Sequence, residues 1–186
     1  MSEKYKTHNP DGAYFVTFTI VEWLKVFEDD SYKQIIIDNI RFYQETRGLI
    51  VYAYCIMPDH VHMIVQSGSN YSVSEVLRDL KKFTSRAIVR KLEGEKPESY
   101  QNVLHQFFMA GKSLNRVKNY KVWQDGNRPM LCYSNVFIMQ KINYIHNNPV
   151  KAGLCLLPWE YKNSSAVNYA EMEGLLQVEL LSLTLK

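Results

Sequence analysis

The run "LIVYAYCIMPDHVHMIVQS", residues 49 to 67, constrains the fold more than any other stretch. Leu49 to Met57 is β-branched and aromatic, "PDH" punctuates it, and the strand pattern resumes from His60 to Ser67. Two such runs across so short a break read as an antiparallel hairpin. A third strand is expected over residues 13 to 21, where Tyr14, Val16, Phe18 and Ile20 share one face and Thr17 and Thr19 the other.

Helices are expected between and after these strands. From 31 to 47 the positions Tyr32, Ile35, Ile36, Ile40 and Tyr43 follow helical spacing, and Gly48 ends the run. Ser72 or Ser74 caps a second helix to about Leu92, with Leu77, Leu80, Thr84, Ala87 and Ile88 opposite a stripe of Arg78, Lys82, Arg86 and Arg90. Residues 100 to 118 show no clear period, "NYKVWQ" (119 to 124) suggests a fourth strand, and "DGNRP" a turn. A last helix starts at Ser134 or Asn135 and is expected to stop near Asn148, because Pro149 disfavours helical geometry in the residue before it. The order β-α-β-β-α-β-α indicates an α+β fold of the ferredoxin-like, split βαβ kind. Its antiparallel sheet carries helices on one face plus an added C-terminal helix. The tail from about 156 is expected to cover the sheet as a strand or a short helix.

At 186 residues the chain fits one domain over 1–186, with a core of about 13–160 and an extension of about 161–186. The opening residues contain no apolar signal core and no stretch is long enough to span a bilayer, so a cytoplasmic protein is expected. Cys55, Cys132 and Cys155 have no zinc-type spacing and read as small hydrophobic residues. The net charge of +3 is mild, but it is unevenly spread. Residues 73 to 91 carry Arg78, Lys81, Lys82, Arg86, Arg90 and Lys91 against two acids, and residues 109 to 122 carry Lys112, Arg116, Lys118 and Lys121 against none. Such clustering suits a phosphate backbone, and equally a solvated helix face.

Strand side chains alternate, so His60, His62 and Ile64 share a face. Two imidazoles placed so can chelate one ion, or can simply be hydrogen-bonded histidines in a partly buried strand. About eighty residues on comes "QKINYIHNNPVKAGL" (140 to 154). At about 100° per residue, Phe137, Gln140, Lys141, Tyr144 and Asn148 lie within about 60° of Tyr144, while Ile138, Ile142 and Ile145 form the apolar stripe. His146 falls on the far side and reads as structural. Tyr144 itself reads either as half-buried packing or as a reactive phenol beside a lysine and an amide.

With these residues in view, the chain resembles the single-tyrosine HUH transposases, in particular the REP-associated tyrosine transposase group and its insertion-sequence relatives. The resemblance rests on "MPDHVHMIV", "DLKKFTS" (79 to 85), "VWQDGNRP" and above all "YIHNNPVKAGL", and spans about residues 13 to 160. It implies an HUH domain in which His60, His62 and Asn148 hold a divalent metal ion, Mg or Mn, with Asn147 and Gln140 as alternatives for the third ligand. It further implies that Tyr144 is the nucleophile, on a catalytic C-terminal helix, and that the substrate is single-stranded or hairpin DNA. Cleavage would leave a 5′-phosphotyrosine and a free 3′-OH, making the protein a DNA endonuclease and strand transferase. Lys81, Lys82, Arg86, Arg90, Lys112, Arg116 and Lys118 would then track the backbone, and Tyr120 and Trp123 offer stacking surfaces for bases or, for Trp123, core packing. The resemblance leaves a monomer and a homodimer both open. Two other readings are a ferredoxin-like nucleic-acid-binding module without catalysis and a metal-dependent phosphodiesterase that activates water.

Overall fold

The structure, a computed structural model, describes residues 9, 12–68, 71–95, 97–112, 120–126 and 129–181. Strand β1 (Tyr14–Thr19) leads to helix α1 (Asp30–Arg47), then to the hairpin β2 (Leu49–Ile56) and β3 (His60–Ser67). Helices α2 (Val73–Gly94) and α3 (Glu98–Lys112) follow, then a two-residue strand β4 (Met130–Leu131), helix α4 (Asn135–Lys151) and a short α5 (Ala166–Tyr169). The sheet order is β2-β3-β1-β4, with every neighbouring pair antiparallel. Because β3 sits between β1 and β2, those two run parallel and α1 is their crossover, which is the split βαβ arrangement.

Local chemistry accounts for the helix ends. The Asp29 carboxylate accepts from the Ser31 N–H at 2.8 Å at the start of α1, and Gly48 closes it in the left-handed region at φ 60°. Ser72 and Glu75 form a reciprocal capping box on α2, and Ser134 caps α4 through the Phe137 N–H at 3.2 Å.

Two apolar layers enclose the sheet. Val16 and Phe18 of β1, with Met63 and Val65 of β3, face α1 and α2. Phe15, Ala53, Cys55 and Ile64 face the opposite way, against Ile138, Ile142 and Ile145 of α4. The expected three-residue isoleucine stripe is thus the face that seats α4. A register shift between Val51 and Ala53 bulges β2. One extra residue turns Ala53 and Cys55 onto the α4 side, whereas Leu49 and Val51 stay with α1 and α2.

Three expectations need correction. Residues 100 to 112 belong to α3, an amphipathic helix that anchors through fully buried Phe107. The fourth strand is Met130–Leu131, paired with Tyr14 and Phe15, and not residues 119 to 124. The described part of that segment instead runs past the end of β1, with a bridge between Ile20 and Trp123 and a bond from the Gln124 N–H to the Thr19 carbonyl at 2.8 Å. Helix α4 passes through Pro149 to Lys151. A proline in the last turn removes only one intrahelical bond, and bonds from the Ala152 N–H to the Asn148 carbonyl and from the Leu154 N–H to the Pro149 carbonyl close the end. The tail covers the sheet as expected and includes the short helix α5: Leu176 joins the layer under α1 and α2, Tyr161 and Tyr169 pack beside the α4 layer, and its backbone lines the β2 edge. The Ile56 N–H donates to the Asn163 carbonyl, the Tyr54 N–H to the Ser165 hydroxyl and the Glu179 N–H to the Val51 carbonyl, each at 2.9 Å. These bonds occupy groups that β2, as an edge strand, would otherwise leave open.

Candidate active site

Pairing register places the histidines. His60 stands opposite Thr19, and His62 opposite Thr17 on one side and Cys55 on the other, all on the sheet face that α4 partly covers. The imidazole rings are 4.6 Å apart, centre to centre. Each has its Nδ1 occupied: His60 donates to the Asp59 carboxylate at 2.5 Å, and His62 shares a hydrogen bond with the Thr17 hydroxyl at 2.8 Å. These contacts engage Nδ1 of each ring and leave Nε2 as the remaining ring nitrogen, the kind of outer-shell bonding that accompanies metal-binding histidines. His62 is stacked on Phe15 at 5.6 Å and is 5% exposed. Burial, followed by the nearness of His60 and Lys141, pushes its pKa down to about 3, so the ring is a neutral base at any ordinary pH.

Helix α4 brings Tyr144 to the same place. Its ring is 40% exposed and lies edge-on to His62 at 5.2 Å and to Phe15 at 6.0 Å. Two ammonium groups flank the phenol, Lys141 Nζ at 5.7 Å and Lys151 Nζ at 5.9 Å from the ring centre. Lys141 also lies over Phe15 at 4.7 Å and over Phe137 at 5.3 Å. Among the described residues neither lysine forms an ion pair with a carboxylate. One turn beyond the phenol, the Asn148 amide donates to the Tyr144 carbonyl at 2.7 Å, which leaves its side-chain oxygen free to accept. Asn147 is tied in the same way to the Asn143 carbonyl, and Gln140, one turn before Tyr144, is exposed. His146 points away from this cluster, buried, with Nε2 bonded to the Ser165 hydroxyl at 2.8 Å.

Because α4 rests on β2 and β3, the β1 side of the face stays open. A groove of about 260 Å³ lies there, lined by Phe15, Thr17, Thr19, Gln124, Asp125, Gly126 and Met130. Gln124 and Asp125 also wall a second cleft, where Arg78, Lys82 and Lys121 gather on the α2 side of the sheet. Lys82, Arg86, Arg90 and Lys112 are exposed, whereas Lys81 turns inward, donating to the Gln124 carbonyl at 3.0 Å and lying over Phe18. Arg116 and Lys118 lie outside the described residues. Trp123 is core, with Nε1 donating to the Thr84 hydroxyl at 3.2 Å, while Tyr120 is partly exposed beside Phe108.

The position of Lys81 has a measurable consequence. Burial lowers its pKa to about 8, against 10.5 for a free lysine. Between those values the unfolded chain holds more protons than the folded one, so this residue's contribution to stability rises with pH. The stability of the native protein relative to Lys81→Met is expected to grow by about 1 kcal/mol per pH unit between pH 8 and 10. Urea unfolding at pH 7, 8.5 and 10 checks this, and a difference that is flat across the series would contradict it.

Four contributors to the site were absent from the sequence-based set, Phe15, Thr17, Asp59 and Lys151, and Lys141 enters it only as the lysine beside the phenol. Thr17 carried a signal, as a polar residue on the non-core face of a strand, and Lys141 shared a helix face with Tyr144. Nothing local marks Lys151, whose relation to Tyr144 depends on the helix continuing through Pro149.

One solved structure matches this fold over nearly the whole chain. A family model described as IS200-like transposase matches residues 12–124, which include both histidines and stop short of α4. A solved structure of a REP-associated tyrosine transposase bound to a REP hairpin matches at 16% identity, covering 99% of this chain and 96% of its own, with a TM-score of 0.65. A structure from Deinococcus radiodurans R1, also assigned as a transposase, matches at 16% identity over 78% of this chain and 97% of its own, with a TM-score of 0.44. No curated protein matches in sequence.

Proposed function

We propose, for a chain that belongs to the IS200-like transposase family, that it cuts and rejoins single-stranded DNA through Tyr144. The observation that carries this reading is the half-exposed phenol 5.2 Å from His62, whose ring is 4.6 Å from that of His60, within one chain. In this reading Tyr144 serves its own histidine pair. The partner is single-stranded or hairpin DNA, in line with the REP hairpin held by the similar solved structure.

In this mechanism the Tyr144 oxygen attacks a phosphorus of the strand, and the bond from that phosphorus to the 3′ oxygen breaks. The phenol gives up its proton as it attacks, and the departing oxygen takes one up, which leaves a 5′-phosphotyrosine and a free 3′-OH. Reversal by another 3′-OH joins strands without an external energy source. A free phenol with a pKa near 10 is a weak nucleophile at neutral pH, so charge stabilisation around it matters. Lys141 and Lys151 supply it, since a phosphate drawn to the phenol sits between two ammonium groups.

The donor set at the histidines fits a divalent ion: two imidazoles held by Thr17 and Asp59, one of them neutral through burial, and the free oxygen of Asn148. Among the described residues no three His, Cys, Asp or Glu side chains gather as a metal site; in this reading the third protein ligand is the Asn148 amide. Mg or Mn, when bound, supplies Lewis-acid polarisation of the phosphate, and nitrogen donors favour Mn of the two. Lys82, Arg86, Arg90 and Lys112 contact the backbone of the strand, while Lys81 positions the Gln124 wall between the two clefts. No described helix is long and apolar enough to cross a membrane.

Incubating the protein with labelled single-stranded hairpin DNA and manganese tests the reading. A labelled band that migrates with the protein through SDS is expected. DNA binding without any such adduct would favour a non-catalytic module, and cleavage without it would favour attack by water.

A further inference from the structure

We propose that the cleft between α4 and the loop after it is a pocket for one unpaired nucleobase of the strand that Tyr144 engages. The walls of the cleft, of about 240 Å³, include Asn143, His146, Asn147, Pro158, Trp159 and Tyr169, with no acidic, lysine or arginine side chain among them. That is below the roughly 300–1,000 Å³ of pockets that enclose drug-sized ligands, and suits a single flat ring system. An indole and a tyrosine ring beside two carboxamides match the two needs of a base: a face to stack on and an edge to bond. A phosphate would find no lysine or arginine there, and His146, bonded through Nε2 to Ser165, is kept neutral by burial.

The loop is built to hold its apolar groups outward. Leu156 is 85% exposed, Leu157 43% and Trp159 45%. The Glu160 carboxylate accepts from the N–H groups of Leu156 and Leu157 at 2.9 Å each, which fixes the turn begun by Pro158. Trp159 is thus presented in place, so little ordering is needed when a ring stacks on it. In the wall, the Asn147 amide nitrogen is bonded to the Asn143 carbonyl, leaving the Asn147 side-chain oxygen to accept, and the exposed Asn143 amide both donates and accepts.

Position links the pocket to the candidate active site. Asn143 and Asn147 stand one residue before and three after Tyr144, turned from it by about 100° and 60° around the helix. Lys151, reaching back to the Tyr144 ring, lies on the last turn before the loop and marks a path for the phosphate between the attacked position and the pocket. The inference rests on the proposed reading only for which strand is bound.

Binding by the full chain carrying Tyr144→Phe tests it without cleavage, using fluorescence anisotropy on a hairpin oligonucleotide with a single-stranded flank and a series with one abasic nucleotide at each flank position. Trp159→Ala is expected to lower affinity for the intact flank about tenfold, a typical loss for one base stack. One abasic position should reduce binding by the chain with Trp159 intact to a similar degree, and the two changes together should cost no more than either alone. Asn143→Ala should weaken base preference at that position and leave affinity for the abasic strand unchanged. Unaltered affinity in Trp159→Ala, or losses that multiply at every abasic position, would overturn the pocket. An adduct formed by the native chain alongside that result leaves the cleavage reading standing. Base-dependent binding through Trp159 with no adduct from the native chain removes cleavage and keeps the pocket.

Discussion

Tyr144→Phe is expected to abolish the covalent protein–DNA adduct and to lower strand cleavage by at least about 10⁴-fold, the scale seen when a sole nucleophile is removed. Loss of one hydroxyl from a ring that is 40% exposed leaves no buried partner unsatisfied, so the melting temperature should be unchanged. The edge-on contact with His62 and the placement of the two lysines depend on the ring and not on the hydroxyl, so DNA affinity should be retained. Denaturing gels give the adduct, and anisotropy the affinity. Continued adduct formation by the variant would remove Tyr144 from its role, whatever the fate of the rest of the site.

The second large effect is expected at the histidines. His60→Ala should lower cleavage about 10³-fold, because the polarisation of a phosphate by a bound ion stabilises the transition state by several kcal/mol. The variant should also lose manganese binding in a calorimetric titration, and EDTA should reduce the native enzyme to the same level. His62→Gln offers a second route. It keeps a polar group in the space beside Thr17 and Phe15 but removes the imidazole Nε2. Both losses should be accompanied by nearly native DNA binding at moderate salt, where lysine and arginine contacts dominate affinity. Full activity of both variants in EDTA would dismiss the ion.

Much of this architecture was legible because the signals are local. The alternation in β1 and the break at Pro58-Asp59 identify the strands, and the isoleucine spacing of α4 identifies both the helix and the face that it buries. Elements without a local signal were not legible. A two-residue β4 has no alternation to read, and α3 carries few buried positions beyond Phe107 and Gly111. "NYKVWQ" looks like a strand because its apolar residues are buried, but Val122 and Trp123 reach the core from a segment that merely passes the end of β1. Lys81 counts as a surface cation in any charge tally, and only packing against Gln124 and Phe18 turns it inward.

Composition and spacing alone settled the kinds of groups available: an imidazole pair on one strand face, a phenol with a lysine and an amide on one helix face, and basic stripes between them. Tertiary structure decided their relations. A bulge in β2 set which residues back the histidines, burial made His62 a neutral donor, and the layer formed by α4 carried the phenol to within 5.2 Å of a ring eighty-two positions earlier in the chain. The physical reason is that periodicity reports which way a side chain faces on its own element, whereas separation, desolvation and proton placement come from how elements stack on one another.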